Sequence, residues 1–422
     1  MFMTCKKIAS SIIKNEYLFS IGSKLSGVLI GLIYIILLNR YLGAALKGEY
    51  AVIINYLNIF AIVARLGLDE AYPFFRNREH HCIETYLGNI KSVFLCWSFL
   101  SILLANILCL ELDKKVVLYL LPVGIAAPCV NYTVQVEYPK KKNISYIILN
   151  LIDLLFVLSL FCFSKANIYF VIAIISLRNI MTLILACKNI NIDVLRLKCR
   201  IAEVRSYITY GFFPMLTVLL MTINYRIDII MLEGKVSLES IGIYSLAVSL
   251  ADKVWLIPDA LKEILLSKLT KGKNAHEVAK VIRISIFCTL IACLMFLIFG
   301  KIMVAVLFGK QFLSAYGIML ILFLGVFPMI FYKMIYAYNV VYGYKMVNFS
   351  ILLGVAVLNI VLNMILIPYW GVLGAAWASV FSYILSGALF VFYFKRKAEL
   401  QYIDIILIKK QDLINIWNKI FK

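Results

Sequence analysis

The sequence predicts an all-α polytopic membrane protein with twelve transmembrane helices, on the basis of two observations. Of the 422 residues, 63% are hydrophobic and only 15% are charged, and the mean hydropathy is +0.94. A soluble domain is about 45–50% apolar, so this chain cannot bury its apolar residues in one water-soluble core. Apolar runs of about 20 residues, the length that crosses a bilayer as a helix, also recur along the whole sequence.

Twelve such runs are predicted to span the membrane. They are residues 17–38, 47–67, 90–110, 116–136, 146–163, 168–187, 208–232, 241–261, 283–307, 317–342, 347–367 and 371–394. The first run follows three lysines, as a signal peptide does, but it is too long for one and lacks a convincing cleavage site. It is therefore predicted to be a retained first helix. Prolines inside the spans predict bends: Pro122, Pro128, Pro214, Pro258 and Pro328.

The distribution of basic residues sets the predicted orientation. With the N-terminus inside, the inside segments carry 29 Lys and Arg and the outside segments carry 8. Cytoplasmic loops are enriched in Lys and Arg, so both termini are predicted to be cytoplasmic. The net charge of +20 is then a consequence of topology, and it does not indicate nucleic-acid binding.

The polar, basic stretch Lys188 to Tyr207 divides the spans six and six. It predicts an N-terminal lobe of residues 1–200, a C-terminal lobe of residues 201–396 and a cytoplasmic tail of residues 397–422. The tail is either an interfacial helix carrying Trp417 and Phe421 or a frayed basic end.

A short internal repeat supports the six-plus-six division. Gly48 and Tyr50 open span two as Gly242 and Tyr244 open span eight, at an offset of 194 residues. A shift of six spans preserves orientation, which indicates a parallel repeat of the kind found in transporters.

Ionisable residues inside the spans are the main functional signal, because such residues are rare in lipid and usually face a cavity. Eight are singled out as candidate site residues, five cationic and three anionic: Lys24, Arg178, Arg226, Lys253 and Lys333, with Asp153, Asp228 and Asp252. Guanidinium and ammonium groups bind phosphate oxygens, so this cationic excess predicts an anionic substrate.

Arg226 and Asp228 cannot pair along their own helix. Residues two apart point about 200° from each other. Asp228 therefore needs a partner on another helix, in a water-filled cavity or in a ligand. For Arg226, snorkelling towards the outer interface is a further alternative.

No catalytic or metal constellation is evident. The sequence has no Walker A loop and no persuasive Ser–His–Asp arrangement, so it predicts no enzyme. The histidines lie in loops and the ten cysteines form no CxxC pair, so no metal or cofactor is assigned.

Several stretches resemble a known family. "LNIVLNMILIPYWGVLGAAWASVFSYI" resembles the eleventh and twelfth spans of Wzx-type O-antigen and polysaccharide flippases of the MOP exporter superfamily. "YGFFPMLTVLLMTINYRIDIIML" and "IGIYSLAVSLADKVWLIPDAL" resemble their seventh and eighth spans. "LFGKQFLSAYGIMLILFLG" resembles the tenth-span entry, and "YLGAALKGEYAVI" with "RLGLDEAYPFFR" resembles the region around the second span. The resemblance covers most of the chain.

The resemblance implies two six-helix lobes around a central cavity in the bacterial cytoplasmic (inner) membrane. The substrate would be an undecaprenyl-pyrophosphate-linked oligosaccharide, flipped to the outer leaflet. The five cations would hold the pyrophosphate and any acidic sugar, and the three aspartates would be candidates to carry a coupling ion, a proton or sodium. The O-antigen polymerase and the chain-length regulator would be candidate partners.

Three alternatives compete with this interpretation. A multidrug or small-molecule antiporter of the same superfamily would be expected to have more carboxylates than cations in its spans. A membrane polymerase or ligase would be expected to carry a large outside loop, and every predicted outside loop here is short. A lipid II flippase would be expected to have more than twelve spans.

Overall fold

The computed structural model describes residues 16–78, 82–107, 112–162, 166–192, 196–269, 272, 275–409 and 412. Thirteen α-helices and no strand occur in these ranges: α1 (Glu16–Ala64), α2 (Leu68–Arg78), α3 (Ile83–Ile107), α4 (Leu112–Glu137), α5 (Pro139–Leu160), α6 (Ile168–Ile190), α7 (Ile201–Leu232), α8 (Leu238–Val254), α9 (Leu256–Leu269), α10 (Ala275–Leu307), α11 (Ala315–Val341), α12 (Lys345–Ala398) and α13 (Tyr402–Ile406).

The helices account for all twelve predicted spans. Within the described ranges, eight helices are long and apolar enough to cross a membrane, and α8 with α9 forms one further, broken span. Two of the eight, α1 and α12, each contain two predicted spans, and α4 covers the remaining predicted span, 116–136. The prediction of an all-α multi-pass membrane protein is confirmed.

Glycines separate the spans inside α1 and α12. Gly43 has φ 68° and ψ −179°, and Gly371 has φ 53° and ψ −128°. Residues with a Cβ disfavour this region, so glycine lets the chain reverse in a turn too short to count as a loop. Apolar composition shows where the spans lie, but the tightness of these two turns depends on the backbone at the glycines.

The chain packs as two units. One comprises Met1–Leu46 with Val52–Leu219, and the other comprises Lys47–Ala51 with Leu220–Lys422. In the first unit, the polar stretch between α6 and α7 is fastened to α3. Lys91 Nζ donates to the Leu197 carbonyl at 2.6 Å, and the Asn89 side chain accepts from the Arg200 N–H at 2.9 Å. The predicted lobe boundary at residue 200 stays a prediction.

In the second unit, Gly48 touches the first turn of α8 directly. A Cβ built on Gly48 would overlap the backbone of Leu238 and approach that of Gly242. Gly48 and Gly242 are the two glycines that the 194-residue repeat places in equivalent positions. The contact leaves no room for a side chain, because closely packed backbones cannot give way as a flexible side chain can.

We expect Gly48→Val to lower the thermal unfolding temperature of the purified protein, because over-packing typically costs about 1–3 kcal/mol. Gly31→Val is the matched control, since Gly31 lies on the same helix and a Cβ there meets nothing within 4 Å. Equal unfolding temperatures for the two variants would contradict the close contact.

The tail begins as a segment held against α10. Arg283 Nε donates to Asp412 Oδ2 at 2.6 Å and its Nη2 donates to Asp412 Oδ1 at 3.2 Å, while Nη1 donates to the Asp404 carbonyl. Both side chains of the ion pair are less than 10% exposed, at 8% and 4%, and Ile405 is fully buried. Residues 401–409 therefore contain a short helix that is attached to α10. The predicted interfacial residues Trp417 and Phe421 lie outside the described residues.

The Arg283–Asp412 pair limits the pH range in which the tail stays attached to α10. Burial alone would raise the pKa of Asp412, but hydrogen bonds from Arg283 and the Lys409 N–H hold that pKa below its ordinary value. Because its pKa is lowered by docking, the ionised Asp412 carboxylate stabilises the docked tail, and this stabilisation is complete at pH values above the ordinary pKa of about 3.9. That stabilisation is lost only as the pH falls through the lower, folded-state pKa.

We expect Arg283→Ala to release the tail, because breaking a buried pair from one side costs about 3–5 kcal/mol. Hydrogen exchange of residues 401–409 should become fast at neutral pH, whereas in the wild type it should become fast only below about pH 4. Lys409→Ala, which removes a half-exposed pair with Asp404, should change the exchange little. Unchanged protection in Arg283→Ala would show that the pair does not hold the tail.

Candidate functional site

The two charged residues of α7 face different partners, in agreement with their helical spacing. Arg226 Nη2 lies 2.5 Å from Asp252 Oδ2, which is near the end of α8. The two side chains are 33% and 27% exposed, so the pair is only partly removed from solvent. Arg226 is thus neutralised by a neighbouring helix, and it does not need to snorkel.

Asp228 is buried and accepts hydrogen bonds from neutral donors. Its carboxylate accepts from the Tyr244 hydroxyl, from Ser379 Oγ at 3.1 Å and from the Ile229 N–H at 2.8 Å. Asp228 is 2% exposed and forms no ion pair with the described residues. A buried carboxylate without a cation at contact distance is costly, and such groups inside membranes are commonly functional.

A chain of hydrogen-bonded polar side chains extends from Asp228 into α12. Ser382 donates to the Ser379 carbonyl at 2.8 Å, Asn359 donates to Ser382 at 2.9 Å, and Asn363 donates to the Asn359 side chain at 3.0 Å. The side-chain carbonyl of Asn363 is buried and accepts no hydrogen bond from the described residues. The same holds for the side-chain carbonyl of Asn224, one turn before Asp228 on α7. Carboxylate, hydroxyl and amide oxygens are suitable partners for a proton or a hard monovalent cation.

A second ion pair follows the break in span eight. Lys333 Nζ, on α11, lies 2.8 Å and 2.9 Å from the carboxylate oxygens of Asp259, in the first turn of α9. It also lies 4.6 Å from the centroid of the Trp255 ring, a cation–π distance. The Lys333 side chain is 10% exposed and that of Asp259 is 45% exposed.

The remaining predicted residues have separate settings. Lys253 is partly exposed, and its ammonium forms no ion pair or hydrogen bond with the described residues. In the first unit, Arg178 Nε lies 2.7 Å from Asp153 Oδ2, so α6 and α5 are joined by an ion pair. Lys24 lies on α1, and its side chain is outside the described residues.

The structure therefore brings five of the eight predicted residues into the second unit. These are Arg226, Asp228, Asp252, Lys253 and Lys333. Asp153 and Arg178 form a pair of their own in the first unit. Three of the five predicted cations lie beside carboxylates, so the cationic excess is smaller than the sequence indicates.

Four residues of the second unit, three of which take part in these contacts, were not predicted from the sequence as site residues. Asp259 lies inside the predicted span 241–261 and adds a carboxylate to the three that the sequence singled out. Lys47, the first residue of the predicted span 47–67, is buried at 8% exposure. Counting every charge within the span boundaries would have found Asp259. No sequence signal identifies Tyr244 and Ser379 as the partners of Asp228.

Comparison with known proteins gives the family and the fold. Residues 13–254 match the family model described as polysaccharide biosynthesis protein. No curated protein matches the sequence. Among solved structures, the lipid II flippase MurJ in an inward closed conformation is similar, with a TM-score of 0.72, 17% identity, and coverage of 90% of this chain and 88% of that chain.

Two other transporters of the MOP superfamily share the fold. An inward-facing multidrug resistance transporter of the MATE family has a TM-score of 0.65 at 13% identity, covering 89% of this chain and 94% of that chain. A transporter from Pyrococcus furiosus has a TM-score of 0.60 at 10% identity, covering 90% and 94%. The chain thus has the fold of MOP superfamily transporters and flippases.

Proposed function

Because the chain belongs to the polysaccharide biosynthesis protein family, we propose that it flips an undecaprenyl-pyrophosphate-linked oligosaccharide repeat unit of the O-antigen type. Flipping runs by alternating access from the cytoplasmic to the periplasmic leaflet of the bacterial inner membrane, with both termini cytoplasmic. The O-antigen polymerase and the chain-length regulator are the partners that would act on the delivered unit.

The observation that carries the proposal is the pair of cations held within the spans of the second unit. Arg226 and Lys333 each lie beside a carboxylate that is at least a quarter exposed. A guanidinium binds phosphate oxygens through two parallel hydrogen bonds, and an ammonium adds a point charge. A lipid-linked diphosphate presents the oxygens and the negative charge that these two groups recognise.

The energy for directional transport is proposed to enter at Asp228. Its carboxylate is surrounded by hydroxyl groups and carries no ion-pair partner among the described residues, so it is free to bind a proton or a sodium ion. Asp252 and Asp153 are weaker candidates, since each lies beside an arginine. Lys24, Arg178 and Lys253 complete the proposed cationic set.

A second function, a cation-coupled multidrug or small-molecule antiporter, draws support from the same carboxylate. A cationic drug would compete with the coupling ion for Asp228, and the fold is shared with MATE transporters. The two proposals differ in the charge of the cargo.

Deletion of the gene in its native host distinguishes the two proposals. The flippase proposal expects loss of surface polymer and accumulation of the complete lipid-linked unit on the cytoplasmic side, both reversed by the wild-type gene. Unchanged polymer with no accumulated unit, together with drug sensitivity, would instead favour the antiporter.

A further inference from the structure

Span eight is broken, and two carboxylates bracket the break. Helices α8 and α9 meet at Trp255 with a bend of 42°. Pro258 explains the position of the bend, because its ring cannot donate a hydrogen bond to the carbonyl four residues earlier and clashes with it. That carbonyl belongs to Val254, the last residue of α8. Asp252 precedes the break and Asp259 follows it.

Each half of the broken span is tied by its carboxylate to a different helix. Asp252 binds Arg226 on α7, and Asp259 binds Lys333 on α11. The two pairs are neighbours, because Lys333 lies 4.6 Å from the ring centroid of Trp255, which is three residues after Asp252. Trp255 lies at the joint, with its Nε1 3.4 Å from the Val326 carbonyl of α11.

These ion pairs are open to exchange. In each pair one side chain is well exposed to solvent: that of Arg226 is 33% exposed and that of Asp259 is 45% exposed. By contrast, the side chains of the Arg283–Asp412 pair in the same unit are only 8% and 4% exposed. Partly exposed pairs are weak, and an anion that offers several oxygens can replace a single carboxylate. The released carboxylates keep access to water.

We propose that Asp252 and Asp259 are exchangeable counter-ions that couple diphosphate binding to the bend of span eight. The diphosphate takes Arg226 and Lys333 from the two aspartates, so both halves of the span lose their ties to α7 and α11 at once. A monophosphate would release only one of the two ties, and a neutral lipid would release neither. Asp259 is thereby a positioning residue that requires two anionic groups in the cargo. The inference rests on the proposed function.

A pair of spin labels on the two halves tests the inference. Glu239 on α8 and Ile264 on α9 are both exposed, and they are replaced by cysteine after the ten native cysteines have been removed. The protein is placed in nanodiscs with undecaprenyl pyrophosphate as the probe or with undecaprenol as the uncharged control. We expect the distance distribution between the labels to shift with the diphosphate and to stay unchanged with undecaprenol. An identical distribution with both lipids would overturn the inference.

A neutral double variant separates exchange from a merely structural ion pair. Lys333→Gln combined with Asp259→Asn removes both charges, so neither is left buried without its partner, and Lys262, which lies 3.9 Å from Asp259, meets no like charge. We expect this double variant to keep its unfolding temperature but to lose the shift caused by the diphosphate, because it has no ammonium at position 333 to bind. Lys333→Gln alone should also lose the shift, whereas Lys301→Gln, an exposed lysine on α10, should retain it. A double variant that responds like the wild type would contradict the exchange.

Failure of this inference is distinguishable from failure of the proposed function. Normal polymer export in the complemented deletion strain, without any shift between the labels, overturns the exchange and leaves the flippase intact. A shift with the diphosphate in a protein whose deletion leaves surface polymer unchanged supports the exchange and overturns only the proposed cargo.

Discussion

Arg226→Ala is expected to abolish flipping while leaving the protein in the membrane. Loss of a charge-assisted contact to a phosphate costs about 3 kcal/mol, roughly a hundredfold in rate at about 1.4 kcal/mol per tenfold. The measurement is surface polymer in the deletion strain complemented with the variant, at matched membrane levels. Arg226→Lys keeps the charge but loses the planar fork, so it should retain a fraction of the activity.

The double variant Arg226→Ala with Asp252→Ala separates binding from folding. It removes both members of the pair, so Asp252 is not left without its counter-ion. If Arg226 served only to neutralise Asp252, the double variant would recover activity. We expect it to recover the unfolding temperature and to remain inactive. Full activity in the double variant would remove Arg226 from the substrate site.

Asp228→Asn is expected to uncouple transport from the ion gradient without unfolding the protein. Asparagine keeps the size of aspartate and an acceptor for the Tyr244 hydroxyl, but it cannot take up a proton or neutralise a cation. In proteoliposomes, stimulation of the wild type by an imposed proton or sodium gradient should fall at least about tenfold in the variant, a change of roughly 1.4 kcal/mol. The gradient that stimulates the wild type identifies the coupling ion.

Ser379→Ala is the matched control for Asp228. It removes one hydrogen bond to the carboxylate, worth about 1 kcal/mol, and keeps the carboxylate itself. We expect reduced ion affinity with retained gradient stimulation at high ion concentration. An Asp228→Asn protein that responds to the gradient as the wild type does would place the coupling site elsewhere.

The spans could be predicted from composition because lipid imposes a simple rule. A backbone in hydrocarbon must satisfy its own hydrogen bonds, so each apolar run of sufficient length becomes a helix. Pro258 marked the break in span eight in the same local way. These features depend on neighbours along the chain, which the sequence displays.

The site was harder to predict because its partners come from distant parts of the chain. Spacing on one helix excludes a bond between Arg226 and Asp228, but it does not say that Asp252 and Tyr244 on α8 are the partners. Ser379 is about 150 residues from Asp228, and only helix packing brings the two together. The tail illustrates the same limit, since nothing near Asp412 in sequence indicates Arg283.

Leaflet exchange by the purified protein tests the central claim most directly. The lipid-linked unit that accumulates in the deletion strain is reconstituted with the wild-type protein in vesicles, and a membrane-impermeant reagent that oxidises sugars is added outside. We expect wild-type protein to expose the inner-leaflet fraction of the units to the reagent, whereas vesicles with Arg226→Ala keep that fraction protected, as protein-free vesicles do. The flippase function would be contradicted if, under either imposed ion gradient, the units in wild-type vesicles stayed as protected as those in protein-free vesicles.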